Sequence, residues 1–247
     1  SIFQTNGGKH RAHNAAIKLA AGELVIILDS DDCLLPHAVE GLAREWDRIP
    51  KDQKDNIAGV LSHCEDQDGI LLGEKFSESR LYAYLFEILL VTKEVVGEKL
   101  PCYRKDVLLE HPFPSLSGNT EHVIEGVVWL EISKRYKIKC SNVITRRYFR
   151  DRQDDTALMN LGKSPNYGAW GKQAYFAVIL SFISTHFSRA PFLFFEAGIQ
   201  HARFSFHNRG RQSPQTLQGL ARLTAYLSYP LGFAVWLMDR LRHARKR

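Results

Sequence analysis

Residues 24–32 read Leu-Val-Ile-Ile-Leu-Asp-Ser-Asp-Asp: five apolar residues run straight into three carboxylates in four positions. A short apolar run rich in Val and Ile predicts a strand buried on both faces, as in the middle of an α/β sheet. In open sheets of that class, the carboxyl end of such a strand opens onto the crevice that binds ligands. Asp29, Asp31 and Asp32 would repel one another there, and holding them together away from bulk water is costly. A hard divalent cation relieves that repulsion and prefers oxygen ligands, which points to Mg²⁺ or Mn²⁺. Residues i and i+2 of extended backbone face the same way, so Asp29 and Asp31 face one ion or one ion-bound ligand, with Ser30 turned away. The plainer alternative is a capping turn, with Asp32 at the start of a helix expected from Pro36. That alternative accounts for one Asp and leaves two unexplained.

The residues upstream extend the pattern. Asn6-Gly7-Gly8 is a loop signal. Ala12, Ala15, Ala16, Leu19 and Ala20 recur at helical spacing, and Gly22 stands where a helix commonly ends. The order is therefore loop, helix, Gly, buried strand, acidic turn. This arrangement resembles the family 2 glycosyltransferases of the GT-A fold. The resemblance is carried by Asn6-Gly7-Gly8-Lys9-His10, Ala12-His13-Asn14, Ala20-Ala21-Gly22-Glu23 and Leu28-Asp29-Ser30-Asp31-Asp32, followed by Leu35 and Pro36. It covers about residues 1–155, and His13 departs from the Arg that many members carry before the Asn.

The resemblance implies a GT-A-like (Rossmann-like) mixed α/β sheet flanked by helices, and a sugar passing from a nucleotide-sugar donor to an acceptor hydroxyl, with inversion. It also implies that a strand, a helix and further strands precede this segment and carry much of the nucleotide-base pocket. Asp29 and Asp31 would engage the donor, with Asp29 nearer the ribose or metal and Asp31 directly on Mg²⁺ or Mn²⁺. Asp32 would brace the turn. Asn6, Lys9 and Asn14 join these as donor-binding candidates.

A second stretch, Glu121 to Tyr136, places Val128, Ile132 and Tyr136 at i, i+4 and i+8, an amphipathic helix beginning near Val127. Glu125 lies just before that helix, where exposed amides favour a carboxylate. Glu125-Gly126-Val127-Val128-Trp129 again resembles the family, whose members carry a general base at such a helix start; Glu121 is the rival. Lys137 to Tyr148 reads as the following strand, with Arg146, Arg147 and Arg150 beside Tyr148. The resemblance brings this strand toward the pyrophosphate, so Arg147 is expected to offset leaving-group charge, the alternative being a solvated basic edge.

The chain has 247 residues, 45% of them apolar, enough for one large domain or a domain with an appendage. Net charge is +6, and nine Lys and Arg against the single acid Asp239 crowd the stretch from Gly198 to Arg247. Cys33, Cys64, Cys102 and Cys140 lack paired zinc spacing, and no signal peptide precedes them; both point to a reducing cytoplasm.

Between the two chemical stretches, Pro36–Asp47 reads as a helix with Ala38, Val39, Leu42, Ala43 and Trp46 inward. Ile57–Ser62 reads as a strand, Asp66–Gly69 as a turn and Ile70–Leu72 as a return strand. Ser79–Val91 reads as a helix, and Ser115–Thr120 as a polar loop over a pocket.

After Asp155 the chain changes to aromatic and apolar helices, an extension over residues 156–247. Thr224–Met238 is fifteen apolar-rich residues ending in a basic tail, the composition of a helix that meets an anionic membrane surface or packs on a subunit. A peripheral place at the inner membrane and a glycan or lipid-linked acceptor follow as expectations. No nucleic-acid motif accompanies the basic end. Two rivals to the transferase remain at this point: a Mg²⁺-dependent phosphohydrolase using one Asp as nucleophile, and a non-catalytic binding remnant.

Overall fold

The computed structural model describes residues 3–77, 80–115, 122–149, 164–208 and 216–244. Glu121, Arg150, most of the Ser115–Thr120 loop and the expected boundary at residue 155 lie outside them. The chain divides into two compact units. One comprises Ser1–Ala12, Phe113–Leu130 and Asp154–Arg247, and the other His13–Pro112 and Glu131–Gln153.

The second unit carries a mixed sheet. In chain order its strands are β1 (Leu24–Ile26), β2 (Cys33–Leu34), β3 (Ile57–Glu65), β4 (Tyr82–Ala83), β5 (Lys99–Arg104) and β6 (Lys137–Arg147). The sheet order is β1-β5-β3-β6-β2, with β4 also pairing β6. β3 and β6 run parallel and the other pairs are antiparallel. The mixed α/β class expected from the sequence is what the chain adopts: in chain order helix α1 (Lys9–Leu19) precedes β1, α2 (Ala38–Asp47) falls between β2 and β3, and α3 (Lys105–Glu110) and α4 (Gly126–Ile132) fall between β5 and β6.

The core explains why these segments order. Leu42 and Trp46 of α2 pack with Ile49, Ile57, Val60 and Cys102, and Leu24, Ile26 and Tyr82 close over them. The Trp46 indole N–H donates to Glu23 at 3.0 Å, so the largest apolar side chain on α2 also finds its polar partner. Gly59 is required in β3, because a Cβ there would collide with the backbone of Cys102 and Tyr103 on β5.

Several expectations are corrected. The strand buried on both faces is β3, buried at every residue, not the run before the acidic turn. β1 covers only three residues, is half-buried, and stands last in the sheet order among the described residues. Asp32 does not cap α2, whose N-terminus follows His37 without a side-chain cap. Val39 and Ala43 on α2 face outward, and Glu45 takes a buried place instead. Gly22 is not among the residues in the left-handed region. Ile70–Leu72 forms one bridge, Glu65 to Leu71, rather than a strand. The helix expected over 79–91 is replaced by β4 and a π-helical turn at Glu87–Val91, and α4 ends at Ile132, short of Tyr136.

The first unit is helical beyond residue 163 among the described residues, as expected of the extension. It comprises α5 (Ala169–Ser181), α6 (Ile183–His186), α7 (Pro191–His207), α8 (Gly219–Leu227) and α9 (Tyr229–Ala244). α7 packs against α5, α8 and α9, and Phe176 stacks on Phe204 with centroids 5.9 Å apart.

Candidate active site

In the second unit, β1 ends at Ile26 and the chain turns through Asp29–Asp32 before pairing again as β2. The Asp32 N–H donates to the Asp29 carbonyl at 3.1 Å, which closes the turn and folds the three carboxylates together. One ligand oxygen from each of Asp29, Asp31 and Asp32 lies within 4.8 Å of the others. The three differ in setting: Asp29 is half-buried, Asp31 exposed and Asp32 buried.

β6 supplies the opposing charge. Leu34 pairs with Arg146 and Cys33 with Arg147 in the antiparallel register, which draws Arg146 beside the residue preceding β2. Arg146 Nη1 lies 3.2 Å from Asp32 Oδ2, and both side chains are buried. The same guanidinium reaches Glu98 at 3.3 Å and the Cys64 sulfur at 3.2 Å. Asp32 Oδ1 accepts the Phe149 backbone N–H at 3.2 Å.

The ion pair does not satisfy Asp32. Its Oδ2 is buried with no aligned hydrogen bond among the described residues, because the guanidinium is near but not aimed at it. Burial raises the Asp32 carboxyl above its ordinary range. The Phe149 N–H and Arg146 pull it down, while Asp31 and Asp29 push it further up. A buried carboxylate oxygen that no aligned hydrogen bond reaches, with two more carboxylates beside it, fits a hard divalent cation. Asp29, Asp31 and Asp32 would hold that cation.

Arg147 points elsewhere. Parallel pairing sets Glu65 beside it, and Arg147 Nε and Nη2 donate to one Glu65 oxygen at 2.9 and 2.6 Å. Arg146, which sequence reasoning passed over in favour of Arg147, is the arginine at the acidic turn. No spacing rule separates two adjacent arginines; only the strand register does. A cavity of about 420 Å³ lined by Phe76, Arg80, Glu94 and Cys140 contains none of the acidic-turn residues.

In the first unit, Asn6 Oδ1 accepts the Gly8 N–H at 3.0 Å and Gly8 takes φ 89°, so the loop before α1 is an Asn-closed turn that only glycine enters readily. Lys9 opens α1, and its ammonium lies 2.7 Å from Glu125 Oε1. Glu125 immediately precedes α4, and its carbonyl accepts the N–H groups of Val128 and Trp129 at 2.9 and 3.2 Å. Gly126 follows because a Cβ there would meet the Tyr175 ring at 2.6 Å. Two residues assigned to different roles from sequence, Lys9 and Glu125, are thus an ion pair. Asn14, on the α1 stretch within the second unit, is half-buried.

Residues 2–89 match the family model described as Glycosyl transferase family 2. Over this stretch the chain is similar to the family 2 glycosyltransferases. The stretch holds the acidic turn, the loop before α1 and β3, and leaves Glu125 and Arg146 beyond the match. A Nostoc sp. (strain PCC 7120 / SAG 25.82 / UTEX 2576) protein described as uncharacterized glycosyltransferase alr2836 is 35% identical over 68 residues, 28% of this chain. The chain spans 19% of that relative's length. The crystal structure of S. aureus TarS 1–349 aligns over the whole chain and 74% of its own length, at 14% identity and a TM-score of 0.42.

Proposed function

We propose that the chain moves a sugar from a nucleotide-sugar donor to a hydroxyl of a glycan or lipid-linked acceptor, with inversion at the anomeric carbon, in cell-surface glycan or polysaccharide synthesis. One observation carries this reading: three carboxylates within 4.8 Å of one another, one with a buried oxygen that no aligned hydrogen bond reaches, inside the stretch that matches the family 2 model. Asp29 and Asp31 would hold Mg²⁺ or Mn²⁺ together with Asp32, with Asp29 nearer the ribose. When bound, the ion neutralises charge on the departing diphosphate. Asp32, tied to Phe149 and Arg146, keeps the turn in shape. Asn6, Lys9 and Asn14 serve the donor, and Arg146, the arginine beside the acidic turn, adds positive charge on the leaving-group side. Glu125 takes the acceptor proton, and a single displacement with one base inverts the anomeric centre.

Calorimetry with Mn²⁺ and UDP or GDP tests the donor half. Nucleotide binding should require the cation in the wild type and disappear in Asp31→Asn, because a neutral amide is a poorer ligand for a hard cation. Undiminished cation-dependent binding in Asp31→Asn overturns the assignment. A turnover screen over nucleotide sugars then names the donor.

A further inference from the structure

Helices α8 and α9 are built the wrong way round for a protein in water. The residues they bury fully are small or polar, Ala221, Thr224, Ala225 and Ser228 on the α8 side and Gly232 and Asp239 on α9, while Tyr229, Phe233 and Trp236 meet the Phe206 ring of α7 at the edge of the contact. Their packing against α7 is close enough to need this. A Cβ on Gly232 would collide with Ala202 and with the backbone at Arg203 and Ile199, and one on Gly198 would collide with Ser228. The leucines and most other large apolar side chains point out. On α8 these are Leu220, Leu223, Tyr226 and Leu227, with Tyr226 74% and Leu227 69% exposed. On α9, Leu231, Leu237, Met238 and Leu241 continue the outward face. In a soluble helix that face is charged or polar. Small residues between helices and large apolar residues outside are the arrangement of helices packed in lipid.

Charge identifies the occupant. Over residues 216–244 the only acid is Asp239. It is buried, chelated by Arg203 at 2.7 and 2.9 Å, and contacted by His207 Nε2 at 2.9 Å. Its charge is answered from α7 and does not reach the outer face. Among the described residues, the exposed charges left on the two helices are Arg222, Arg240 and Arg242. A second copy seated on this face would bring those arginines against their own equivalents, whereas anionic headgroups complement them. Neither helix can cross a bilayer: α9 has 16 residues, about 24 Å long, against a hydrocarbon core of about 30 Å.

We infer that the outward face of α8 and α9 docks on anionic membrane, the helices lying in the interface with their leucines among the acyl chains and Arg222, Arg240 and Arg242 at the headgroups. The inference stands on these helices alone and does not depend on the transferase reading.

The test is flotation of the full chain with vesicles of equal parts phosphatidylcholine and phosphatidylglycerol at low salt, beside vesicles of phosphatidylcholine alone. The chain should float with the anionic vesicles, and raised salt should weaken this. Replacing each of Arg222, Arg240 and Arg242 with Gln should weaken partitioning by about fivefold per site. The combined variant Leu223→Gln, Leu227→Gln, Leu237→Gln and Met238→Gln changes only exposed positions, so its helical circular dichroism should persist while flotation is lost. Trp236 gives a second reading. Trp46, Trp129 and Trp170 are buried and Trp236 is not, so brominated lipid should quench a fluorescence component that Trp236→Phe removes. Failure to float on anionic vesicles overturns the inference. So does flotation unchanged in the fourfold variant. Sedimentation as a dimer that this variant dissociates, without flotation, makes the face a subunit interface and also overturns it.

Discussion

Replacing Asp32 with Asn should leave the cation-free protein near wild-type stability, yet remove the stabilisation that a divalent cation confers. Removing one partner of a buried ion pair ordinarily costs about 3–5 kcal/mol, and Asp32 sits 3.2 Å from a buried Arg146. An opposing effect is larger here. Burial raises the Asp32 pKa even though the Phe149 N–H and Arg146 lower it, and Asp31 and Asp29 add to the rise. A carboxyl whose folded pKa lies above its unfolded value opposes folding at neutral pH, since the unfolded chain ionises it more easily. Asn removes that charge and keeps an amide oxygen for the Phe149 N–H. Arg146 retains Glu98 at 3.3 Å and Cys64 at 3.2 Å. The expected net change is within about 1 kcal/mol, the worth of one ordinary hydrogen bond.

Cation binding adds a second, separable quantity. At a hundredfold excess over Kd, a ligand stabilises by about 2.7 kcal/mol, roughly 5–10 °C in Tm for a chain of this size. Scanning calorimetry in EDTA and in Mn²⁺ reads both terms. The wild type should gain that increment in Mn²⁺. Asp31→Asn and Asp32→Asn should both lose it while melting near the wild type in EDTA. A loss of 3–5 kcal/mol by Asp32→Asn in EDTA would refute the reasoning, because the Arg146 pair would then outweigh desolvation. An increment retained by both variants would mean that the acidic turn holds no cation.

Glu125→Gln should lower acceptor-dependent turnover by about a hundred- to ten-thousandfold while Mn²⁺-dependent nucleotide binding persists; steady-state kinetics beside calorimetry checks it, and Glu121→Gln should be far milder. Lys139→Met should cost about 3–5 kcal/mol in urea unfolding, because Lys139 and Glu45 form a buried pair at 3.1 Å; replacing Glu45 with Met as well should recover much of the loss. His201 is buried with neither ring nitrogen hydrogen-bonded among the described residues, and burial lowers its pKa to about 4. Its folded pKa therefore lies below the unfolded value of about 6.5. The stability linked to it is complete above pH 6.5 and falls by about 3 kcal/mol as pH drops toward 4; His201→Leu should flatten that slope in pH-dependent denaturation.

The parts of the fold that sequence conveyed are those set by local pattern. The loop, helix and acidic turn over residues 4–32 are written in glycine, alanine spacing and consecutive carboxylates, and the three Asp residues do lie together. What was not legible depends on neighbours far along the chain. Five apolar residues before Asp29 read as an interior strand, but strand burial is decided by flanking strands, and that place belongs to β3. Leu85, Phe86 and Ile88 are buried as their apolarity requires, yet β4 pairs with β6 in a segment whose composition equally suits a helix. Arg146 and Arg147 are indistinguishable in sequence. The parallel register that sets Cys64 beside one and Glu65 beside the other sends them to different carboxylates.

The C-terminal helices show the same limit from another side. The apolar content of Thr224–Met238 is plain from composition, which counts a leucine facing inward and one facing outward alike. The structure turns Thr224, Ala225 and Gly232 in and Tyr226, Leu227 and Leu231 out. Orientation, rather than the amount of apolar surface, therefore distinguishes a docking face from a core. It also accounts for the buried Asp239: an acid left on that outer face would repel the anionic surface its arginines attract, and Arg203 and His207 hold it on the opposite side of the helix.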